Sequence, residues 1–373
     1  MDVYDVAVIG AGPAGSAAAL AALRGGASVL LLDRADFPRD KPCGDGIAAE
    51  AVDVLTGLGV PDPVRGFRQV ERLRLVAPGG AAVARPLPRP AHTVPRRIFD
   101  ERLVRAAVAG GAEWRRHTTR RVRGDDPVVI DERYRARVLI GADGAGSVVR
   151  RSLGHGANPA GHLAIAIRGY APAADTGEQV IITTRQRWPA YAWQFPIGDG
   201  TANVGYGELL RGRPLSRAYL RNRLAVLLPG AEPVSVRGHH LPLSTARPVA
   251  GRGRMLLAGD ALSLINPLTG EGIFYAVLSG ALAGAEAARG PRDVARRYAE
   301  ALRRRLGRHL RHSGLAARLT AWPHVADAAV TAAAADPGTF ARMVELGLAD
   351  GLLDVRTIGR IATRMVHWRA VPA

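Results

Sequence analysis

The chain has 373 residues, of which 47% are hydrophobic and 23% charged, and its formal net charge at pH 7 is +18. This composition fits a soluble globular protein of two or three domains, and no run reaches the roughly 18 uninterrupted apolar residues of a membrane-spanning helix. The basic charge is not accompanied by aromatic-basic interleaving or by zinc or helix-turn-helix spacing, so we expect neither nucleic-acid binding nor a metal site.

The first segment predicts a strand, a glycine-rich turn, a helix and a second strand. Apolar runs at 6–9 and 29–32 flank the turn at 10–15 and an alanine-rich helix that continues to about Leu23. Continuously apolar strands of this kind are typical of a βαβ unit whose sheet is covered on both faces. The acidic N-terminus and the glycines that break the apolar run argue against a secretory signal, so we expect a cytoplasmic protein.

The turn at 10–15 carries the pattern GxGxxG, which permits close approach of the backbone to a pyrophosphate at the helix N-terminus. Asp33, at the end of the second strand, can bind a ribose hydroxyl. Arg34 could instead bind the extra phosphate of NADP, so these residues alone leave the dinucleotide open. The predicted cofactor contacts in this segment are Gly10, Gly12, Pro13, Ala14, Gly15, Asp33 and Arg34.

Lys41 and Cys43 are the only lysine and the only cysteine of the chain, and they lie two positions apart in the segment 38–46, PRDKPCGDG. Lysine carries a compact charge on a flexible stem, so its retention in an arginine-rich chain points to a need for the ammonium group. Gly44 suits a backbone that passes close to a cofactor ring. The thiol could pack as a small hydrophobe, orient a substrate or donate a proton. One cysteine excludes an intrachain disulfide and favours a reducing compartment.

The middle of the chain predicts a second domain inserted into the first. Alternating segments at 70–76, 163–167, 180–183, 191–197 and 202–206 indicate an antiparallel sheet, and the chain beyond Pro291 reads as helices. The predicted boundaries are 1–67, 91–155 and 248–290 for the nucleotide-binding domain, 68–90 and 156–247 for the β-sheet domain, and 291–373 for a C-terminal helical region.

Two later motifs favour a flavin. Gly259 and Asp260 follow a buried strand and place a carboxylate where a second ribose-like chain would run. The segment 267–272, PLTGEG, then opens a helix at Ile273, whose N-terminus favours the negative charge that a reduced flavin carries on its pyrimidine edge. The further predicted FAD contacts are Lys41, Cys43, Gly44, Arg97, Asp143, Gly259, Asp260, Pro267, Gly270, Glu271, Gly272 and Ile273.

Over about residues 4–290 this ordered set of motifs resembles the FAD-dependent hydroxylase superfamily. Within it, the Lys-Pro-Cys-Gly segment and the block YAWQFP at 191–196, followed by GYG at 205–207, are similar to the geranylgeranyl reductase family, whose pattern is YxWxFP and then GxG. The family's leading proline would fall at Trp188, whereas this chain has Pro189.

The resemblance implies an α/β fold: a Rossmann-like FAD-binding domain, an inserted antiparallel β-sheet substrate domain and a C-terminal helical region. It also implies an FAD-dependent reductase that saturates carbon–carbon double bonds of a prenyl, geranylgeranyl-type chain, with NAD(P)H or another electron donor. An FAD-dependent monooxygenase or halogenase of small-molecule biosynthesis is the alternative, and a non-catalytic flavin-containing lipid-binding or electron-transfer protein is a third hypothesis.

Tyr191, Trp193 and Phe195 alternate along a strand and therefore point to one face. In a chain with only 5% aromatic residues, this concentration favours a wall against an apolar substrate over plain core packing. We expect Cys43, Tyr191 and Trp193 to be catalytic. The predicted substrate contacts are Tyr191, Trp193, Phe195, Gly205 and Gly207.

A basic amphipathic helix is predicted at 292–318, because apolar residues recur there every four positions among arginines. Most such helices pack one face on a core. Attachment to anionic lipid at the inner face of the membrane is the minority alternative.

Overall fold

The structure is a computed structural model that describes residues 3–124, 126–212 and 214–369. Its strands form two sheets. The first, the nucleotide-binding sheet, contains β1 (Val3–Ile9), β2 (Val29–Asp33), β6 (Glu113–Arg116), β7 (Val122–Arg123), β8 (Val128–Ile130), β9 (Tyr134–Gly141), β15 (Gly251–Arg252) and β16 (Met255–Leu257). Parallel pairs join β6, β2, β1, β9 and β16 in that order. The predicted βαβ opening is confirmed, and its carboxyl-terminal strand ends lie along one edge.

Helices cover this sheet. They are α1 (Pro13–Arg24), α2 (Ala49–Gly57), α3 (Arg96–Ala109), α4 (Val148–Ser152) and α6 (Ile273–Ala288). Helix α2 begins only at Ala49, because the backbone of Gly46 and Ile47 pairs with a strand of the second sheet.

The second sheet, the substrate sheet, has the order β14-β10-β13-β12-β11-β4-β5-β3. Its strands are β3 (Gly46–Ile47), β4 (Gln69–Val76), β5 (Ala82–Thr93), β10 (Leu163–Pro172), β11 (Glu178–Thr183), β12 (Ala190–Pro196), β13 (Thr201–Leu209) and β14 (Val234–Pro242), with α5 (Arg217–Leu227) on one face. The predicted inserted sheet is confirmed, but β11 pairs with β4 in parallel. The hairpin of β4 and β5 arrives from an earlier part of the chain, so no tight turn dictates the direction of that pair.

The chain after Pro291 is helical, as predicted, with α7 (Val294–Leu319), α8 (Pro323–Ala335), α9 (Pro337–Leu348) and α10 (Val355–Arg369). In α8 and α9, Val330, Phe340 and Val344 pack against Val83 and Leu87 of the substrate sheet. The C-terminal helices therefore close the far side of that sheet. Within the described ranges, no helix is both long enough and apolar enough to cross a bilayer.

Glycines allow α1 and α6 to touch through their backbones. A Cβ on Gly280 would lie 2.0 Å from the carbonyl oxygen of Ala14, and one on Gly284 would lie 2.1 Å from that of Ala18. The glycine turn precedes α1, and the segment 267–272, which is predicted to bind flavin, precedes α6. This contact therefore fixes the two helix N-termini relative to each other.

We predict that Gly280→Ala lowers the free energy of unfolding by about 1–3 kcal/mol, because the added methyl group overpacks the contact between α1 and α6. Gly314→Ala is the matched control, since a Cβ at this position of α7 meets nothing within 4 Å. Helix propensity should make the control neutral or stabilising by up to about 1 kcal/mol. Urea unfolding of both variants tests this, and equal stabilities would contradict the proposed role of Gly280.

Candidate active site

A cavity of about 1230 Å³ runs between the two sheets and the C-terminal helices. One end, the cofactor lobe, is lined by Gly10, Gly12, Asp33, Arg39, Lys41, Arg96, Asp143, Asp260 and Glu271. The other end, the apolar lobe, is lined by Leu73, Leu75, Ile181, Ala326, Ala329, Val330, Met343, Val344 and Leu348. Cys43 and the aromatic strand also line it, so the cavity connects the predicted cofactor and substrate residues.

The glycine turn is packed directly against neighbouring backbone, which leaves no room for a side chain at Gly10 or Gly15. Gly10 has a φ of +96°, and a Cβ there would lie 2.3 Å from the carbonyl oxygen of Ala142. A Cβ on Gly15 would lie 1.7 Å from the carbonyl oxygen of Gly10. Asp33 is fixed beside this turn, because its carboxylate accepts hydrogen bonds from the amides of Ala11, at 2.8 Å, and Ala35, at 3.0 Å. The carboxylate thus has a set orientation for a ribose hydroxyl.

Two guanidinium groups face the turn. A Cβ on Gly12 would lie 3.6 Å from Nη2 of Arg39 and 3.8 Å from Nη2 of Arg96. The carboxylate of Asp100 forms an ion pair with both arginines: Oδ1 lies 2.6 Å from Nε of Arg96, and Oδ2 lies 3.0 Å from Nη1 of Arg39. No side chain caps the N-terminus of α1. Free helix amides with two cations fit the pyrophosphate of FAD.

The expectation for Arg97 is corrected. Arg97 is exposed and does not line the cavity, whereas Arg96 is buried within it. Neighbouring residues on a helix point about 100° apart, and the partner of Arg96 is Asp100, one turn further along α3. Of the two adjacent arginines, Arg96 and not the predicted Arg97 therefore faces the cofactor lobe.

Lys41 joins the two acidic-glycine motifs. Its Nζ lies 3.8 Å from Oδ2 of Asp260, and a Cβ on Gly144 would lie 3.5 Å from the same nitrogen. His239, on β14, approaches the carboxylate of Asp260 to 3.9 Å. Burial opposes ionisation of Asp260, but His239 and Lys41 outweigh it and hold its pKa at about 2. The carboxylate is therefore ionised at neutral pH and available to ligand hydroxyls.

The flavin loop at 266–272 is fixed to α6 and α9. The side-chain amide of Asn266 donates to the carbonyl oxygen of Leu346 at 2.9 Å, and the Thr269 hydroxyl donates to that of Gly347 at 2.6 Å. Glu271 accepts the amide of Phe274 at 2.8 Å, inside the first turn of α6. Burial raises the pKa of Glu271 to about 7.

The aromatic strand forms a wall beside this loop. The ring centroids of Tyr191 and Trp193 are 5.9 Å apart, and the Tyr191 hydroxyl donates to the carbonyl oxygen of Thr269 at 2.5 Å. The ring of Phe195 approaches Gly44, where a Cβ would lie 3.4 Å from its Cε2. All three aromatic side chains line the cavity, on the single face that the alternation predicted.

The GxG motif lies beside the wall, on the same face of the sheet. On the adjacent strand, Gly207 pairs with Tyr191 and Gly205 pairs with Trp193. A Cβ on Gly205 would lie 2.1 Å from Cζ2 of Trp193. Gly205 does not line the cavity, so its predicted substrate contact is corrected: it makes room for the indole ring.

A buried network that the sequence did not reveal holds the segment 40–46. Asn203 donates from Nδ2 to the carbonyl oxygen of Cys43 and to Oδ2 of Asp45, both at 2.8 Å, and its Oδ1 accepts the indole N–H of Trp193 at 2.8 Å. The Tyr170 hydroxyl donates to the same Asp45 oxygen at 2.7 Å. Burial raises the pKa of Asp45 to about 6 against these hydrogen bonds. The network thus locks the cysteine loop to the aromatic wall.

The guanidinium of Arg168 extends this network. It donates to Asp40 and to the carbonyl oxygen of Lys41, and it lies over the ring of Tyr170 with its Cζ 4.8 Å from the centroid. A buried asparagine and a buried arginine in otherwise apolar strands were the available sequence signals for this network.

The Cys43 side chain is partly buried and lines the cavity. Burial raises the pKa of its thiol, even though Arg96 acts in the opposite direction. The thiol therefore keeps its proton at neutral pH.

Most predicted site residues surround this cavity, and the residues present fit FAD. Gly15 and Gly259 lie outside the lining and act by packing, since a Cβ on Gly259 would lie 3.0 Å from that of Ala14. The predicted residues that line the cavity are Gly10, Gly12, Pro13, Ala14, Asp33, Arg34, Lys41, Cys43, Gly44, Asp143, Tyr191, Trp193, Phe195, Gly207, Asp260, Pro267, Gly270, Glu271, Gly272 and Ile273.

We predict that Asn203→Leu destabilises the protein by about 3 kcal/mol, because it leaves the buried indole N–H of Trp193 without its acceptor and removes one of the hydrogen-bond donors to Asp45. Tyr206→Phe is the control: it lies on the same strand, faces the opposite core and loses one hydrogen bond to Glu208. The control should cost about 1 kcal/mol. Urea unfolding gives both values, and near-UV circular dichroism reports the setting of the Trp193 ring. An unchanged spectrum with wild-type stability would contradict the network.

We predict that stability depends on pH through Glu271. The pKa of Glu271 in the folded protein is raised to about 7. Its protonated form therefore stabilises the fold most below the usual glutamate pKa of 4.5, and this stabilisation is lost as the pH rises to about 7. Glu271→Gln should remove this dependence while still accepting the Phe274 amide. In the FAD-free protein, the stability of wild type relative to the variant should fall by about 1 kcal/mol per pH unit across the window. A difference that is constant with pH would contradict this.

Comparisons with known proteins agree with this geometry. Residues 3–178 match the family described as FAD binding domain. The chain is 37% identical over 308 residues to the menaquinone reductase of Mycolicibacterium smegmatis, covering 75% of each protein. It is 34% identical over 310 residues to digeranylgeranylglycerophospholipid reductase 1 of Methanopyrus kandleri, covering 75% of this chain and 79% of that one.

A solved geranylgeranyl bacteriochlorophyll reductase-like protein from Thermoplasma acidophilum has the same fold, with a TM-score of 0.81 at 21% identity over 99% of both chains. The two sequence relatives are similar over most of their length. The predicted FAD cofactor and the predicted family are confirmed. The chain belongs to the geranylgeranyl reductase family of FAD-dependent oxidoreductases.

Proposed function

We propose that this protein saturates carbon–carbon double bonds in a prenyl chain that lies in the apolar lobe, with the reacting double bond beside Cys43 and the aromatic wall. The observation that carries the proposal is the continuity of the cavity, which passes from the cofactor lobe along this wall into a lobe lined by aliphatic side chains.

The sheet itself supplies this continuity. Trp193 pairs with Ile181 across β12 and β11, and Ile181 pairs with Leu75 across β11 and β4. Directly paired residues point to the same face, so the wall extends without a break into the apolar lobe. The residues that β4, β11, α8 and α9 contribute to the lining carry no charge. Such a surface favours a long hydrocarbon over a polar metabolite.

The names of the two sequence relatives support the same substrate class. One is a menaquinone reductase, and the other is a digeranylgeranylglycerophospholipid reductase. A prenylated quinone and a prenylated glycerophospholipid differ in their head groups and share the prenyl chain. A site that both relatives have in common is therefore best explained by recognition of that chain.

The residues of the chain have separate roles in this proposal. Bound FAD in its reduced form supplies the hydride equivalent for the double bond, and a proton completes the addition of two hydrogen atoms. The neutral Cys43 thiol holds a proton at the wall. Trp193 and Tyr191 hold the flat double bond. The hydrogen bond from the Tyr191 hydroxyl to the carbonyl oxygen of Thr269 orients the tyrosine ring.

We predict that Trp193→Ala lowers alkene reduction at least tenfold and leaves reduction of the flavin by dithionite within about twofold, because only the alkene step needs the wall. Cys43→Ala should likewise retain FAD and impair the alkene step. The assay mixes anaerobic, dithionite-reduced enzyme with a prenyl lipid, follows flavin absorbance and measures the gain of two hydrogens per double bond by mass spectrometry. Tyr206→Phe is the control, and both of its half-reactions should keep wild-type rates.

The carrier and the alternative activity are resolved in the same assay. With menaquinone as substrate, saturation of the chain survives exposure to air, whereas reduction of the quinone ring is reversed by it. Turnover that requires oxygen would support a monooxygenase or halogenase instead. Wild-type alkene rates in folded, FAD-loaded Trp193→Ala would remove the support for the aromatic wall.

A further inference from the structure

The last turns of α7 expose a face that combines arginine with large apolar side chains. Leu315 is 51% exposed, Leu319 is 50% exposed, and Trp322, just after the helix, is 65% exposed. At 100° per residue, Arg304, Arg308, Arg311, Leu315 and Leu319 fall on one side of α7, and the buried residues Leu302, Leu306 and His309 fall on another side. We call this side, together with Trp322, the arginine–leucine face.

The charge of this segment is one-sided. The sequence contains no Asp or Glu between Glu300 and Asp327. Arg304 lies 4.0 Å from a carboxylate oxygen of Glu300. Among the described residues, no carboxylate lies within that distance of the guanidinium groups of Arg308, Arg311 or Arg318. Elsewhere the exposed arginines commonly pair, as Arg89 does with Asp53 at 2.7 Å. The face is therefore positively charged and also carries apolar groups.

The same segment borders the cavity. Ala316, Ala317, Arg318, Thr320 and Ala321 line it, and Arg318 and Ala321 are themselves exposed, so the cavity opens to the outside beside the arginine–leucine face. Across the opening, the indole N–H of Trp188 donates to the carbonyl oxygen of Thr320 at 2.5 Å. This opening adjoins the apolar lobe, whose lining includes Ala326 and Ala329 of the next helix.

We propose that the arginine–leucine face docks on the surface of an anionic lipid bilayer, so that a prenyl chain passes from the bilayer into the apolar lobe without crossing water. Leu315, Leu319 and Trp322 insert among the head groups, where tryptophan is favoured, and the arginines contact anionic phosphates. This inference rests on the proposed function. Exposed apolar groups at the mouth of an apolar cavity favour a lipid surface over nucleic acid, which arginine alone would attract.

Sedimentation of the FAD-loaded protein with vesicles tests the docking without any turnover. Wild type should bind vesicles of phosphatidylglycerol and phosphatidylcholine in equal parts, bind weakly to phosphatidylcholine alone, and be released by salt. The triple variant Arg304→Gln, Arg308→Gln, Arg311→Gln should lose on the order of 100-fold in affinity. The triple variant Leu315→Ser, Leu319→Ser, Trp322→Ser should lose at least tenfold, since it removes the buried apolar area.

Matched controls replace exposed apolar residues and exposed arginines elsewhere on the surface and should bind as wild type does. For the apolar set, Val226→Ser, Val234→Ser and Val249→Ser replace side chains that are 58%, 66% and 48% exposed. For the charged set, Arg24→Gln, Arg135→Gln and Arg252→Gln replace exposed arginines of the nucleotide-binding domain. If the test and control variants lost affinity for vesicles equally, binding would depend on the overall charge or hydrophobicity of the protein and not on this face, which would overturn the proposal.

Turnover separates failure of docking from failure of the proposed function. The apolar triple variant should reduce a detergent-dispersed prenyl lipid at the wild-type rate and a vesicle-embedded one at least tenfold more slowly. Wild-type protein that reduces the dispersed lipid but does not bind anionic vesicles, or binds double-stranded DNA in preference, would overturn the docking alone. Vesicle binding through this face without reduction of either lipid would overturn the proposed function.

Discussion

The carboxylate of Asp45 joins the substrate sheet to the start of α3, and the position of the segment 40–46 depends on it. It accepts hydrogen bonds from Tyr170 and Asn203 of the substrate sheet and, at 3.3 Å, from the backbone amide of Arg96 at the start of α3. Asp45 is fully buried and has a φ of 61°, a conformation that costs a side chain about 1–3 kcal/mol unless surrounding contacts impose it. These contacts fix Cys43, two residues earlier, against the wall and the cofactor lobe.

The parts of this protein that the sequence predicted are those governed by local rules. The glycine turn with Asp33, the flavin loop opening α6 and the alternating aromatic strand each follow from spacing within a single element. The network of Asp45 and Asn203 could not be predicted in this way, because these two residues are 158 positions apart in the chain and meet only once the strands of the substrate sheet have assembled. The choice between Arg96 and Arg97 depended on the exact first residue of α3, which a pattern does not fix.

The parallel pair of β11 and β4 has a similar origin. Strand direction follows from turns when the partners are sequential, but here the segment 91–155 of the nucleotide-binding domain lies between the two strands in the chain. The pair matters for the site, because it places Leu75 beside Ile181 and so carries the cavity from the wall to α8 and α9. The functional role of Cys43 and the use of the wall for a prenyl chain stay predictions.

The pairing of Trp193 with Gly205 makes the two positions a single unit for any attempt to reshape the pocket. The indole occupies the volume that a side chain at 205 would need, so residue 205 cannot be enlarged while the tryptophan is present. Conversely, a smaller residue at 193 would leave a void that a larger residue at 205, on the same face of the neighbouring strand, could fill. Engineering of a new specificity would therefore have to vary both strands together, or start from Phe195 and Ile181, whose cross-strand partners across β13 and β4 carry side chains of their own.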